Sequence, residues 1–139
     1  GGKPKTDGRI TWDFDHDTFW AVHDIEGWGI LCVHGDQIRG GGAGFPVAGT
    51  IKKMAGWVDS IPKPWTYLAF GHFHNYTYGT VNTRYYLANG AVESDNIYAQ
   101  EQLASCGTPC QRLSFFNRSQ GLIADHQVWL DDSRSPDYR

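Results

Sequence analysis

The sequence predicts an α/β protein: two buried parallel strands joined by a crossover helix, followed by a β-rich C-terminal part. Residues 30–33 and 67–70 are short, wholly apolar runs, the pattern of strands covered on both faces. Between them Ile51, Met54, Ala55 and Val58 recur at i, i+3, i+4 and i+7, which predicts the core-facing stripe of one helix. Beyond residue 75 the period shortens, and strands are expected at 76–81, 83–87, 112–116 and 122–130.

The elements follow in order. Trp12, Phe14 and His16 alternate with Asp13, Asp15 and Asp17, the signature of a half-exposed hairpin turning near Asp15. Residues 19–25 read as a strand, 26–29 as a turn and 30–33 as a buried strand that ends at His34. A flexible glycine loop at 40–44 leads into the helix, which Pro62 and Pro64 stop. A strand, helix and strand of this length make a parallel crossover, so the segments after residues 33 and 70 open onto one sheet edge. A short helix is expected at 97–103 and a hairpin loop at 117–121. Residues 10–131 form the expected single domain, with a flexible N-terminus or cloning remnant at 1–9 and a loose tail at 132–139.

Forty per cent hydrophobic residues, with six Trp, seven Tyr and seven Phe, exclude a disordered chain. Twelve basic against fifteen acidic residues give a net charge of −3, so nucleic acid is not held by counterion release alone. A phosphate substrate then needs a local attractor such as a metal. Neither a membrane-spanning run nor a signal peptide is visible, and a soluble, cytoplasmic protein is expected. Cys32 sits in an apolar strand as a small core residue. Cys106 and Cys110 flank Gly107-Thr108-Pro109 in a loop expected to be reduced, a tight disulfide or a zinc site being the alternatives.

The chemistry concentrates in Val33-His34-Gly35-Asp36 and Gly71-His72-Phe73-His74, each an apolar run passing into histidine at a glycine. In an extended stretch His72 and His74 face one side and Phe73 the core. Imidazole is the commonest side-chain ligand for transition metals, and ligands collect where the strands of an open α/β sheet end. An isolated histidine is as well explained by a structural hydrogen bond.

Taken together, the two segments resemble the fourth and fifth of the five motifs of calcineurin-like metallophosphoesterases. The run from Val33 to Arg39, the Gly/Pro loop after it, Asn89-Gly90 and Gln111-Arg112-Leu113 are similar to a bacteriophage branch of that superfamily, so the resemblance spans about residues 20–131. It implies the C-terminal half of a metallophosphoesterase-type α/β sandwich. It also implies two divalent transition metals, manganese, iron or zinc, with His34 and His72 on one ion and His74 on the other. Such a centre polarises a phosphate ester and activates water, acting as a phosphatase or as a nuclease on nucleic acid or nucleotides. A phage-encoded enzyme would work in the host cytoplasm.

The family's first three motifs, which supply a bridging carboxylate, an asparagine ligand and an acid/base histidine, have no counterpart before His34. Gly35-Asp36-Gln37-Ile38-Arg39 imitates the second motif but carries arginine in place of its second aspartate. Three histidines cannot fill the roughly eight to twelve coordination positions of two such ions. The remaining ligands are expected from a complementary N-terminal half, a separate polypeptide or a homodimer mate; otherwise the chain is a non-catalytic, regulatory module. Asp13, Asp15 and His16 are the local substitutes, although an acidic hairpin tip is more simply a solvated face. His23 and His126 read as structural. Arg39 is a candidate phosphate contact or a surface ion pair, Asp36 is placed to orient His34, and Asn75 to support the second histidine turn. Phe45, Trp57, Tyr76 and Tyr78 suit either base stacking or the core.

Overall fold

A computed structural model of the chain describes residues 18–40, 44–92 and 108–130. The expected acidic hairpin with Asp13, Asp15 and His16, the helix at 97–103, Cys106 and the tail lie outside the described residues. The elements are β1 (Trp20–Ile25), β2 (Trp28–Val33), α1 (Val47–Ser60), β3 (Tyr67–Phe70), β4 (Thr77–Val81), β5 (Arg84–Ala88), β6 (Cys110–Asn117) and β7 (Gly121–Trp129).

Five strands form one mixed sheet in the order β1-β2-β3-β5-β4, and β6 pairs with β7 in a second sheet. The β2–α1–β3 crossover is parallel, with Leu31 opposite Leu68 and Cys32 opposite Ala69, as the two apolar runs predict. β5 also lies parallel to β3, and β1 and β4 close the edges antiparallel. Local sequence sets the turns. Ile25 pairs with Trp28 across Glu26-Gly27, both with positive φ (55° and 87°), the two-residue reversal that suits the twist of the flanking strands. Asn117 pairs with Gly121 across three residues, and Gly121 (φ 77°) takes the left-handed position that such a loop requires.

Alternation along the strands divides the core between the two sheet faces. Leu31, Val33, Leu68, Phe70 and Tyr86 face α1 and meet Met54, Trp57, Ile61 and Trp65. Ile30, Tyr67 and Leu87 point the other way, and Phe116 and Leu122 of the β6–β7 hairpin pack on them.

The helical stripe predicted by the sequence is partly out of phase: Met54 is buried as expected, but its three companions are not. Ile51 and Val58 are 42% and 38% exposed and Ala55 is exposed, while the buried residues are Gly49, Thr50, Met54 and Trp57. Counting apolar residues missed two constraints. A Cβ at position 49 would overlap the Arg39 carbonyl, so this side of α1 must lie against the chain leaving β2. The buried Thr50 hydroxyl is satisfied by donating to the Pro46 carbonyl at 2.9 Å, so a polar residue can face the core. With that side fixed, the Trp57 indole supplies the apolar area. Among the described residues no helix is long and apolar enough to cross a membrane.

Candidate metal centre

The two histidine segments meet because β2 and β3 are neighbours and run the same way. His34 directly follows β2 and His72 lies two residues beyond β3. The Gly71 amide donates to the His34 carbonyl at 3.0 Å and ties the two exits together. Gly35, at φ +120°, makes the approach possible, since a Cβ there would lie 3.0 Å from His72 Cβ and 3.1 Å from the Gly71 carbonyl. The imidazoles of His34 and His72 stand 5.2 Å apart between ring centroids, inclined at 66°.

The second segment is not extended, contrary to the expectation from its His-x-His spacing. His72 and His74 both adopt left-handed backbone, with φ of 66° and 54°. The Phe73 amide donates back to the Gly71 carbonyl at 2.8 Å, and Asn75 Nδ2 donates to the Phe73 carbonyl at 2.7 Å. A tight turn replaces the strand because the chain must reverse from β3 into β4. Phe73 does face the core, edge-on to Phe45 and Phe70. Each non-glycine residue held this way costs about 1–3 kcal/mol, a strain that recurs at functional sites.

Burial lowers the pKa of His72, the charge of His34 lowers it further, Asp36 opposes the shift and His74 adds to it. The net effect favours neutral imidazole, the form that binds metals. Asp36 is exposed and acts on His72 through its charge; among the described residues it makes no hydrogen bond to His34. Arg39 is exposed on the segment leading towards α1. His34 is exposed, and His72 and His74 are half-buried. Imidazole donors suit a transition metal, yet among the described residues no group of three or more His, Cys, Asp or Glu side chains forms a complete site.

A polar network beside the turn was not evident from the sequence. Tyr76 donates its hydroxyl to Asp125 Oδ2 at 2.5 Å, and Ser114 donates to Oδ1 at 2.8 Å. Arg112 forms an ion pair with the same carboxylate, reaches the carbonyls of Thr77 and Ala88 at 2.9 and 3.0 Å, and lies 4.0 Å from the Tyr76 ring centroid. Its backbone amide donates to Asn89, whose own amide donates to the Phe70 carbonyl at the end of β3. The Arg112 side chain is only 9% exposed. Burial pushes the Asp125 carboxyl up, but Tyr76, Ser114 and the guanidinium outweigh it and hold the pKa below its usual value. Burial and the bond to Asp125 push the Tyr76 phenol up to about 12. The sequence signal was Gln111-Arg112-Leu113; nothing local joined it to Tyr76 or Asp125.

A cleft of about 430 Å³ opens on the hairpin side of the sheet, lined by Ile30, Ala69, Gly71, Asn89, Arg112 and Phe116. It reaches the histidine turn at Gly71. On the hairpin's own surface Leu113, Phe115, Ile123 and Val128 are 40–52% exposed.

The other candidates fall elsewhere. Cys32 is a half-buried free thiol whose pKa burial raises, and Cys110 is a buried free thiol that accepts from Gln127 at 3.2 Å. His23 and His126 are exposed, the latter edge-on to Phe115. Phe45 stacks on Phe70 and Tyr86 in the core, Trp57 is buried, and Tyr78 is exposed and stacked on Tyr85.

No family model matches the chain, and no curated protein matches it by sequence. Solved structures do. Vps29 from Entamoeba histolytica, crystallised with Zn²⁺, matches at a TM-score of 0.56 and 18% identity over 86% of this chain and 64% of that one. A double mutant of the same protein matches at 0.57, with 18% identity over 86% and 66% of the two chains. A predicted phosphoesterase from Streptococcus pneumoniae overlaps less well, at a TM-score of 0.44 and 12% identity over 83% and 66%. The chain therefore spans slightly under two thirds of the length of Vps29. Over that length it has the mixed α/β, metallophosphoesterase-type fold of Vps29.

Proposed function

We propose that this chain supplies the histidine half of a dinuclear metal centre that hydrolyses phosphoesters. The observation that carries the reading is the convergence of His34 and His72 at adjacent parallel strand ends, 5.2 Å apart, on backbone strained at His72 and His74. His34 and His72 donate to one divalent ion, manganese, iron or zinc, and His74 to a second. Bound there, such ions supply Lewis acidity and lower the pKa of water. The chain's part is to hold neutral imidazoles in place. Asp36 places a negative charge near His72 that favours a bound cation, Asn75 braces the turn, and the exposed guanidinium of Arg39 takes phosphate oxygens of a nucleotide or nucleic acid. The phage-type branch and a cytoplasmic setting belong to this reading.

The carboxylate and asparagine ligands come from a complementary segment, either an N-terminal half or another polypeptide. Three observations support it. Over a third of Vps29 has no counterpart here, the cleft reaches the histidine turn, and among the described residues β6 and β7 form a sheet of two strands. The exposed apolar side chains of that hairpin favour a second reading, a non-catalytic module that assembles with another protein through this face.

Cobalt(II) binding, followed by visible absorption, tests the metal half on the purified chain. Binding that is lost in His34→Ala and His72→Ala is expected, and binding indifferent to both would refute it. Turnover of bis(p-nitrophenyl) phosphate with Mn²⁺ is expected only once the complement is added. A complemented complex that binds metal but never hydrolyses the ester would leave the second reading standing.

A further inference from the structure

The histidine turn is held in an expensive conformation, and a strained segment persists only where its surroundings over-determine it. Its entry is tied by the Gly71 amide to His34, and its centre by Phe73 in the core. Its exit runs through Asn75, which donates to Phe73 within the turn, to Tyr76, whose hydroxyl crosses 49 residues of sequence to Asp125. Asp125 is itself fixed by Ser114 and Arg112, and Arg112 grips the first residue of β4 and the last of β5.

We propose that Tyr76 is a positioning residue for His72 and His74: its hydroxyl, clamped to the Arg112–Asp125 pair, pins the exit of the turn to the β6–β7 hairpin and holds both histidines in their left-handed geometry. The donor is neutral and its acceptor is a carboxylate already oriented by two other groups. Phenylalanine would keep the ring beneath the guanidinium and lose only the pin. A phenol that merely stabilised the fold would be equivalent to Ser114, which donates to the same carboxylate at 2.8 Å without touching the turn.

The comparison of Tyr76→Phe with Ser114→Ala is therefore the test, in the purified chain. Without metal, amide hydrogen exchange by NMR is expected to quicken at Phe73 by about tenfold in Tyr76→Phe, the scale of one hydrogen bond to a charged acceptor. In Ser114→Ala it should stay close to wild type, although both variants melt earlier. Equal exchange in the two variants, or quickening spread evenly over the chain, overturns the proposal. A second arm rests on the proposed function: cobalt(II) affinity should fall several-fold in Tyr76→Phe, with a changed absorption band, and hold in Ser114→Ala. Unchanged cobalt affinity in Tyr76→Phe also overturns it. If the wild-type chain binds no cobalt, the metal reading fails while the exchange arm still decides the pin.

Discussion

Replacing His74 by glycine should make the chain more stable while removing a proposed metal donor. His74 sits at φ 54°, a backbone state that costs an L-residue about 1–2 kcal/mol and glycine almost nothing. Glycine gives back about 0.5–1 kcal/mol because its unfolded chain is freer. The imidazole has little to lose, since it is half-buried and among the described residues makes no ring stack or hydrogen bond. Its electrostatic effect on His72 is unfavourable to the charged ring, so removing it costs nothing there. The net gain is about 0.5–1 kcal/mol. At about 2.1 cal/mol/K of unfolding entropy per residue, 139 residues convert this to a rise in Tm of about 2–3 °C. Calorimetry with a chelator present measures it. A Tm equal to or below wild type would refute the claim that the turn is strained at this residue. His72→Gly is the contrast: the same relief is offset by loss of the ring contacts to His34 and Phe73, so no gain is expected.

Other outcomes follow from the same packing. Trp57→Ala should cost about 3–5 kcal/mol in urea unfolding and Val58→Ala under about 0.5, a contrast that reports the phase of α1. Gly35→Ala should destabilise by more than about 1 kcal/mol and weaken cobalt binding, because the added methyl pushes against His72 Cβ. Asp125→Asn leaves a buried guanidinium without its counter-charge and should cost about 3–5 kcal/mol. The Asp125 carboxyl titrates lower in the folded chain than in the unfolded one, so its contribution is complete above the ordinary value of about 3.9 and fades as pH falls below it; acid unfolding of wild type should be steeper there than that of Asp125→Asn. The Tyr76 phenol has a raised folded-state value of about 12, so its contribution holds below about pH 10 and disappears as pH rises towards 12; phenolate absorbance should show a late-titrating group missing from Tyr76→Phe.

What the sequence disclosed and what it hid separate along physical lines. The strands at 30–33 and 67–70 were legible because burial on both faces leaves an uninterrupted apolar run, and the crossover length then forced His34 and His72 to one edge. The phase of α1 was not, because a close approach at Gly49 and a carbonyl bond at Thr50 decided it, and neither shows in hydrophobicity. The left-handed backbone of His72 and His74 was hidden too. A His-x-His spacing has the same alternation in a strand as in a tight turn, and only the reversal from β3 to β4 selects the turn. Arg112 and Asp125 lie on β6 and β7 and Tyr76 just before β4, and no local period links them.

The network has a consequence for how a complementary segment would act. Arg112 and Phe116 line the cleft, and Arg112 also holds the carboxylate that anchors Tyr76 at the exit of the histidine turn. A segment seated in the cleft would bear on Arg112 while its own ligands reached His34, His72 and His74. On the proposed function, docking and metal binding are then coupled through Arg112, Asp125 and Tyr76, and each must change the affinity of the other by an equal factor. Tyr76→Phe should lower that mutual factor, because it cuts the link between hairpin and turn while leaving both surfaces intact. Metal affinity measured with and without the complement, in wild type and in Tyr76→Phe, gives the coupling directly. Equal coupling in the two proteins would mean that the Tyr76 link does not carry it.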